Sequence, residues 1–202
     1  MTLNGTNQAN FVDVNGIHFE TVVPQRNITL PARGSKTQVR FDFGIRITNH
    51  TPEMQRFLLF FIRPQFLYAD GTIVGEPAGP NYNKTAKPKR SDFQDLKPGE
   101  MMTCFRHGYF QRFKRQVGFL FLGNDNGGWC FEGFQPTSYA IRLIYHNHYS
   151  VWEDATDLGD PERFEAAEKR RSFVQTVGRE VMKIEGVWIG EVTTPLVEFN
   201  LN

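Results

Sequence analysis

Between Thr37 and Asn49 apolar and polar residues alternate without a break. Val39, Phe41, Phe43, Ile45 and Ile47 hold every second place, with Gln38, Arg40, Asp42, Gly44, Arg46 and Thr48 between them. Successive side chains of a strand point to opposite faces, so this period predicts a strand with one apolar and one wet face. A helix would scatter the same five residues around its whole circumference. After Asn49-His-Thr-Pro-Glu53, the run Phe57-Leu-Leu-Phe-Phe-Ile62 is apolar on both faces, the pattern of a strand buried in the middle of a core.

The same signals recur along the chain. Phe11–Val14 and Ile17–Val23 flank Asn15-Gly16, a dipeptide that accepts positive φ at both positions and so predicts a hairpin. A short strand is expected near Ile28-Thr-Leu30. Pro64 removes a ladder donor within Ile62–Tyr68 and points to a bend or a sheet edge. Leu96-Lys-Pro-Gly-Glu100 reads as a turn into a strand from about Met101 to Phe110. Val117–Leu122 and Trp129–Phe134 form a hairpin around Gly123-Asn-Asp-Asn-Gly-Gly128, and Tyr139–Tyr145 alternates again. At the end, Pro195 separates Val187–Val192 from Leu196–Leu201, as in a strand that bulges or changes sheet.

One segment breaks the period. Asp160-Pro161-Glu162 combines an N-cap acceptor, proline at the first helical position and an acid in the first turn. Phe173, Val174, Val177 and Val181 then share a helical face, which predicts a helix over 161–181 inside an insertion spanning about 155–182. The first ten residues are polar and expected to be flexible. Residues 11–202 are expected to form a single β-sandwich domain.

The long strand ending in Ile47-Thr-Asn49, the Leu96–Glu100 turn, Tyr139-Ala-Ile-Arg-Leu-Ile-Tyr145, and the last strands around Trp188–Val192 and Val197-Glu-Phe199 resemble an immunoglobulin-like β-sandwich of the bacterial type. The resemblance spans most of Val12 to Leu201. It lacks the paired inter-sheet cysteines of antibody domains, and the helix before the last strands departs from the plain sandwich. It implies an all-β fold, an antiparallel sandwich of about seven to nine strands with one inserted α-helix. It also implies a binding or structural role rather than catalysis.

Composition adds the 19 phenylalanines, a residue that suits half-buried pleated surfaces. With 23 basic and 22 acidic side chains there is no global field to draw in nucleic acid or an acidic membrane. The N-terminus carries no basic and apolar leader, and no apolar run approaches the roughly 20 residues of a membrane span. Cys104 and Cys130 do not make a disulfide framework, so a cytoplasmic location is expected. A secreted chain trimmed of its leader would read the same way.

Several clusters invite chemistry. His146 and His148, two apart at a strand end, could hold a metal with a carboxylate from Glu153, Asp154 or Asp157; polar residues at a strand end are the plainer account. Arg106-His-Gly-Tyr-Phe-Gln-Arg-Phe-Lys-Arg115 interleaves cations with aromatic rings, as does an anionic-polymer site, and Lys84–Arg90 adds charge. Alternation equally allows Phe105, Tyr109 or Phe113 to point inward while the cations meet water. Trp129, Trp152 and Trp188 could stack sugars or fill the core. No nucleophile elbow, phosphate loop or dinucleotide fingerprint is present, and no cofactor is expected. The sequence therefore favours a non-catalytic interaction domain whose partner is another protein or further copies of itself. Its candidate contacts are His146, His148, Trp152, Arg106, Tyr109 and Arg112, presented with the loop Glu76–Asp92 and the helix Pro161–Val181. A metal protein centred on His146 and His148 is the rival, and an anionic-polymer binder using 84–90 and 106–115 is the third reading.

Overall fold

A computed structural model describes residues 10–32, 34–75, 88–113, 116–124, 127–153 and 183–202. In chain order the strands are β1 (Val12–Val14), β2 (Ile17–Val22), β3 (Asn27–Ile28), β4 (Val39–Asn49), β5 (Gln55–Leu58), β6 (Ile62–Tyr68), β7 (Phe93–Leu96) and β8 (Met101–Phe113). They continue as β9 (Gln116–Leu122), β10 (Gly128–Phe134), β11 (Ser138–Asn147), β12 (Trp152–Glu153), β13 (Lys183–Ile184), β14 (Gly190–Thr193) and β15 (Val197–Leu201). The protein is all-β: among the described residues there is no α-helix, only one 3-10 turn at Arg90–Asp92. The helix predicted over 161–181, with the whole of its insertion, lies outside the described residues.

Six strands form one antiparallel sheet in the order β1-β2-β4-β8-β9-β10. The second sheet is built on β11, with β6 along one side. On its other side β15 pairs with the first half of β11 and β14 with the second half. Here the proline break has its predicted effect. Pro195 has no N–H, and Thr194 repairs the ladder: its N–H donates to Leu143 O, and its hydroxyl accepts the Leu143 N–H. The same hydroxyl meets Thr21 Oγ1 of β2, so one buried polar contact joins the two sheets. β3 closes this sheet by a short parallel pairing with β15. Pro64 lies in β6, which among the described residues has a strand partner, β11, on one side and on the other only the single bridge of Leu67 to Ile73, in keeping with an edge.

The alternation of β4 has a direct outcome. Phe41, Phe43, Ile45 and Ile47 are buried and face the second sheet. Phe41 meets Phe199 at 4.9 Å, while Phe66 of β6 meets Phe119, Phe131 and Phe134 at 5.0, 5.1 and 5.3 Å. Rings from both sheets thus fill one interior, which makes the two layers a β-sandwich. Gly108 on the inner face of β8 makes room for this filling: a Cβ there would stand 2.2 Å from Cζ of Phe119. The first hairpin also forms as predicted, with Asn15 and Gly16 at φ 54° and 79°.

Phe57–Ile62 differs from its prediction. It is a strand end, a turn at Leu59–Phe60, and the start of β6. Both of its faces are buried because it divides its side chains between two clusters. Phe57, Leu59 and Ile62 enter the main core; Leu58 and Phe60 enter a second one with Phe93, Trp152, Ile184 and Val187. A wholly apolar run carries no period, so a chain reversal inside it leaves no mark.

Two asparagines finish the long strands β4 and β11. Asn49 donates to Glu53 O and Leu96 O and accepts from the amide and hydroxyl of Thr51. Asn147 donates to Tyr149 O and Trp188 O.

The antiparallel pair β5–β7 is tied by Arg56, whose Nη2 donates to Asp95 Oδ2 at 2.8 Å and whose Nη1 reaches Glu185 O. The hydrogen bond from Arg56 holds the Asp95 carboxyl below the usual carboxylate range; burial opposes this, and the guanidinium charge adds to it. A depressed folded-state value means stability that is present above the unfolded carboxyl's range, near pH 4, and lost as pH falls through the folded value. Because the side chains are 29 and 44 % exposed, the pair contributes well under about 1 kcal/mol. Urea midpoints measured from neutral to strongly acidic pH will show a shallower acid limb for Asp95→Asn than for the parent. Parallel limbs would contradict the assignment.

Candidate functional site

The described residues place one sizeable depression over β8, β9 and β10, about 890 Å³ in volume. Its floor follows from strand alternation. Because Met102, Cys104, Gly108 and Phe110 of β8 face inward, Phe105, His107 and Tyr109 face outward. Register then sets Tyr109 beside Leu120 of β9, and Leu120 beside Cys130 of β10, a row across three strands. Phe105 lies opposite Gly44, and a Cβ on that glycine would stand 2.9 Å from its ring. Phe105 and Leu122 are 50 and 63 % exposed, large apolar side chains on one outer face.

The depression turns polar around the tip of the β9–β10 hairpin, where Lys89, Ser91, Asp92, Arg106 and Asn124 line it with Trp129. Arg106 is held there by neutral acceptors: Nη2 donates to Leu59 O, and Nη1 to Cys104 Sγ and Phe105 O. Asp92 accepts the Lys89 amide through Oδ2 at 2.7 Å. Burial pushes the Cys130 thiol up, and the charge of Glu132 adds to this. Burial also raises the Cys104 thiol, with Arg106 opposing it. Both cysteines are free. They stand on non-adjacent strands and opposite faces, so no local movement would join them.

The residues singled out from sequence divide among three places. Arg106 and Tyr109 line the same depression, one at its polar end and one on its floor. Arg112, six residues from Arg106 and so about 20 Å along the strand, donates through Nε to Pro31 O instead. The facing expected under the plainer account is reversed: Phe105 and Tyr109 point out, while Arg106 and Arg112 turn toward the interior side and cap carbonyls at opposite ends. Lys84, Lys87, Lys114 and Arg115 lie outside the described residues.

His146, His148 and Trp152 do gather, around Phe61. His146 stacks on Phe61 at 5.4 Å, the two imidazoles are 5.4 Å apart, and Trp152 is 6.1 Å from Phe61. Trp152 is only 4 % exposed and belongs to the second core. Among the described residues no three His, Cys, Asp or Glu side chains come together as metal ligands; Asp154 and Asp157 lie outside that set. The tryptophans do not share a platform: Trp188 packs on Phe19 and Tyr145, and Trp129 lies under Arg63.

Neither models of known protein families nor curated proteins match this chain. No helix among the described residues is long and apolar enough to cross a membrane. Leu120 is not singled out by the sequence, Cys130 enters there only for disulfide pairing, and Phe105 only as a residue that could point inward. The available signal was the phase of Val117, Phe119 and Phe121, which assigns the inner face of β9 and leaves Leu120 outside.

Proposed function

We propose that the protein is a non-catalytic β-sandwich domain, immunoglobulin-like in kind, that binds a protein partner on the outer face of β8–β10. The observation that supports this is the exposure of Phe105 and Leu122 around the Tyr109–Leu120–Cys130 row. Large apolar side chains gathered in a depression of a rigid sheet mark contact surfaces more often than plain solvent-facing ones. A pair of serines at Phe105 and Leu122 tests it. The Phe105→Ser, Leu122→Ser variant should keep the far-UV spectrum of the parent and lose a partner that the parent retains in affinity capture. Cys130 is a built-in reporter, since a bound partner should slow its alkylation. Identical captured proteins and identical alkylation rates with both chains would end the proposal. Self-association through this face is the version read by light scattering, as a mass that drops to the monomer in the double variant.

The adjacent His146 and His148 rings support a second reading, a metal held on two imidazoles. Zinc binding that disappears in the His146→Ala, His148→Ala double variant would favour it over the first.

A further inference from the structure

We infer that the partner segment received in the β8–β10 depression is acidic, a peptide that lays apolar side chains on Phe105, Tyr109 and Leu120 and directs a carboxylate to Arg106 and Lys89. This rests on the interaction reading above and adds the chemistry of the occupant. Its basis is an unmatched charge. Arg40, Arg46 and Arg56 each have a carboxylate partner, Asp42, Glu20 and Asp95. Arg106, like the partly buried Arg112 and Arg142, forms no ion pair with a described residue, and of these three it is the one that lines the depression. Its three hydrogen bonds go to a thiol and two carbonyls, which fix the guanidinium without neutralising it.

A guanidinium carries five N–H donors. Both on Nη1 and one on Nη2 are used, which leaves Nε–H and the second Nη2–H for an incoming acceptor. Two donors side by side on a planar fork match a carboxylate. Lys89 lines the same end, and no ion pair joins it to Asp92, whose carboxylate takes the Lys89 backbone amide instead. Arg106 and Lys89 against Asp92 leave the polar end with one positive charge in excess. An aromatic and aliphatic floor beside an unneutralised cation suits a ligand carrying both kinds of group, and opposes a basic one. β10 ends its sheet, with no strand on its second side among the described residues, so an extended segment has a strand edge to follow.

The test uses dye-labelled hexapeptides that alternate phenylalanine with aspartate, with asparagine or with lysine, titrated with the full chain and read by fluorescence anisotropy. The aspartate peptide should bind about tenfold more tightly than the asparagine peptide, the size of effect a charge-assisted hydrogen bond gives. Raised salt should narrow that gap. Arg106→Gln should bring the aspartate peptide to the asparagine level without altering the asparagine peptide. Lys89→Gln, on an exposed side chain, should narrow the gap in the same direction and guards against a folding defect at Arg106. Equal binding of the aspartate and asparagine peptides, both lost in Phe105→Ser, would overturn the acidic preference while leaving the binding face intact. Binding of none of them, with partner capture unaffected by Phe105→Ser and Leu122→Ser, would remove both. Benzoate bound as tightly as the aspartate peptide would make this a small-molecule site and overturn the peptide.

Discussion

Replacing Asn49 by alanine is expected to remove about 3 kcal/mol of folding stability, although no apolar contact of note is lost. The side chain is fully buried, and its four hydrogen bonds hold two separate loops against the end of β4. Its amide meets the carbonyls of Glu53 and Leu96; its oxygen takes the amide and hydroxyl of Thr51. Alanine leaves the Leu96 carbonyl enclosed without the Asn49 donor, while the Leu96–Glu100 turn keeps only its main-chain bonds to residue 49, from Gly99 N and to Glu100 O. Asparagine to aspartate is the sharper variant. An ionised carboxylate cannot donate to two carbonyls, so burial and both acceptors favour its protonated form and raise its folded-state pKa. A folded state that holds its proton more tightly than the unfolded chain loses stability as pH rises. Asn49→Asp should therefore be much weaker than the parent at neutral pH and recover in part toward acid. Denaturant midpoints across that range decide it: a loss below about 1 kcal/mol for alanine, or a pH-independent deficit for aspartate, would contradict the role assigned to Asn49.

Phe66→Ala is the larger loss, about 4 kcal/mol, from cavity formation and vanished ring contacts together. Phe66 comes from the edge strand of the smaller sheet yet reaches Phe119, Phe131 and Phe134 of the opposite layer. Phe41 and Phe199 also lie within 6.5 Å of it. Its removal empties the seam where β6 faces β9 and β10, which also supports the depression on their far side. Phe66→Leu retains most of the volume and should cost about 1.5 kcal/mol or less. Guanidinium unfolding should show a lower midpoint at unchanged slope. An alanine variant within about 1 kcal/mol of the parent would mean that the two layers do not share this interior.

Several elements could be read directly from the chain because each is encoded over neighbouring residues. β4 announces itself by five apolar residues in alternate places, β11 by the same period in Tyr139–Tyr145. Asn15-Gly16 sets its own backbone angles, and Pro195 interrupts hydrogen bonding wherever the strand is placed. Phe57–Ile62 and β8 were less legible. In the first, apolar residues occupy every place and the reversal at Leu59–Phe60 is silent. In the second, aromatic and cationic residues occupy both faces, and only the docking of Phe110 against Phe119 and Phe199 says which face is inner.

The candidate site depended still more on long-range placement. Arg106 and Tyr109 were visible as residue types, but their meeting with Leu120, Cys130 and Lys89 depends on two hairpin registers and on the return of the chain past Asp92. Trp152 likewise gained its buried place only by contact with Phe61, Phe93 and Ile184. The sequence alone determined that this chain makes strands, where most of them turn, and which side chains must leave water, since period, turn chemistry and hydrophobicity act locally. Tertiary structure decided which faces oppose one another, and so which cations line the depression, because sheet register and inter-layer packing are fixed only when distant segments meet.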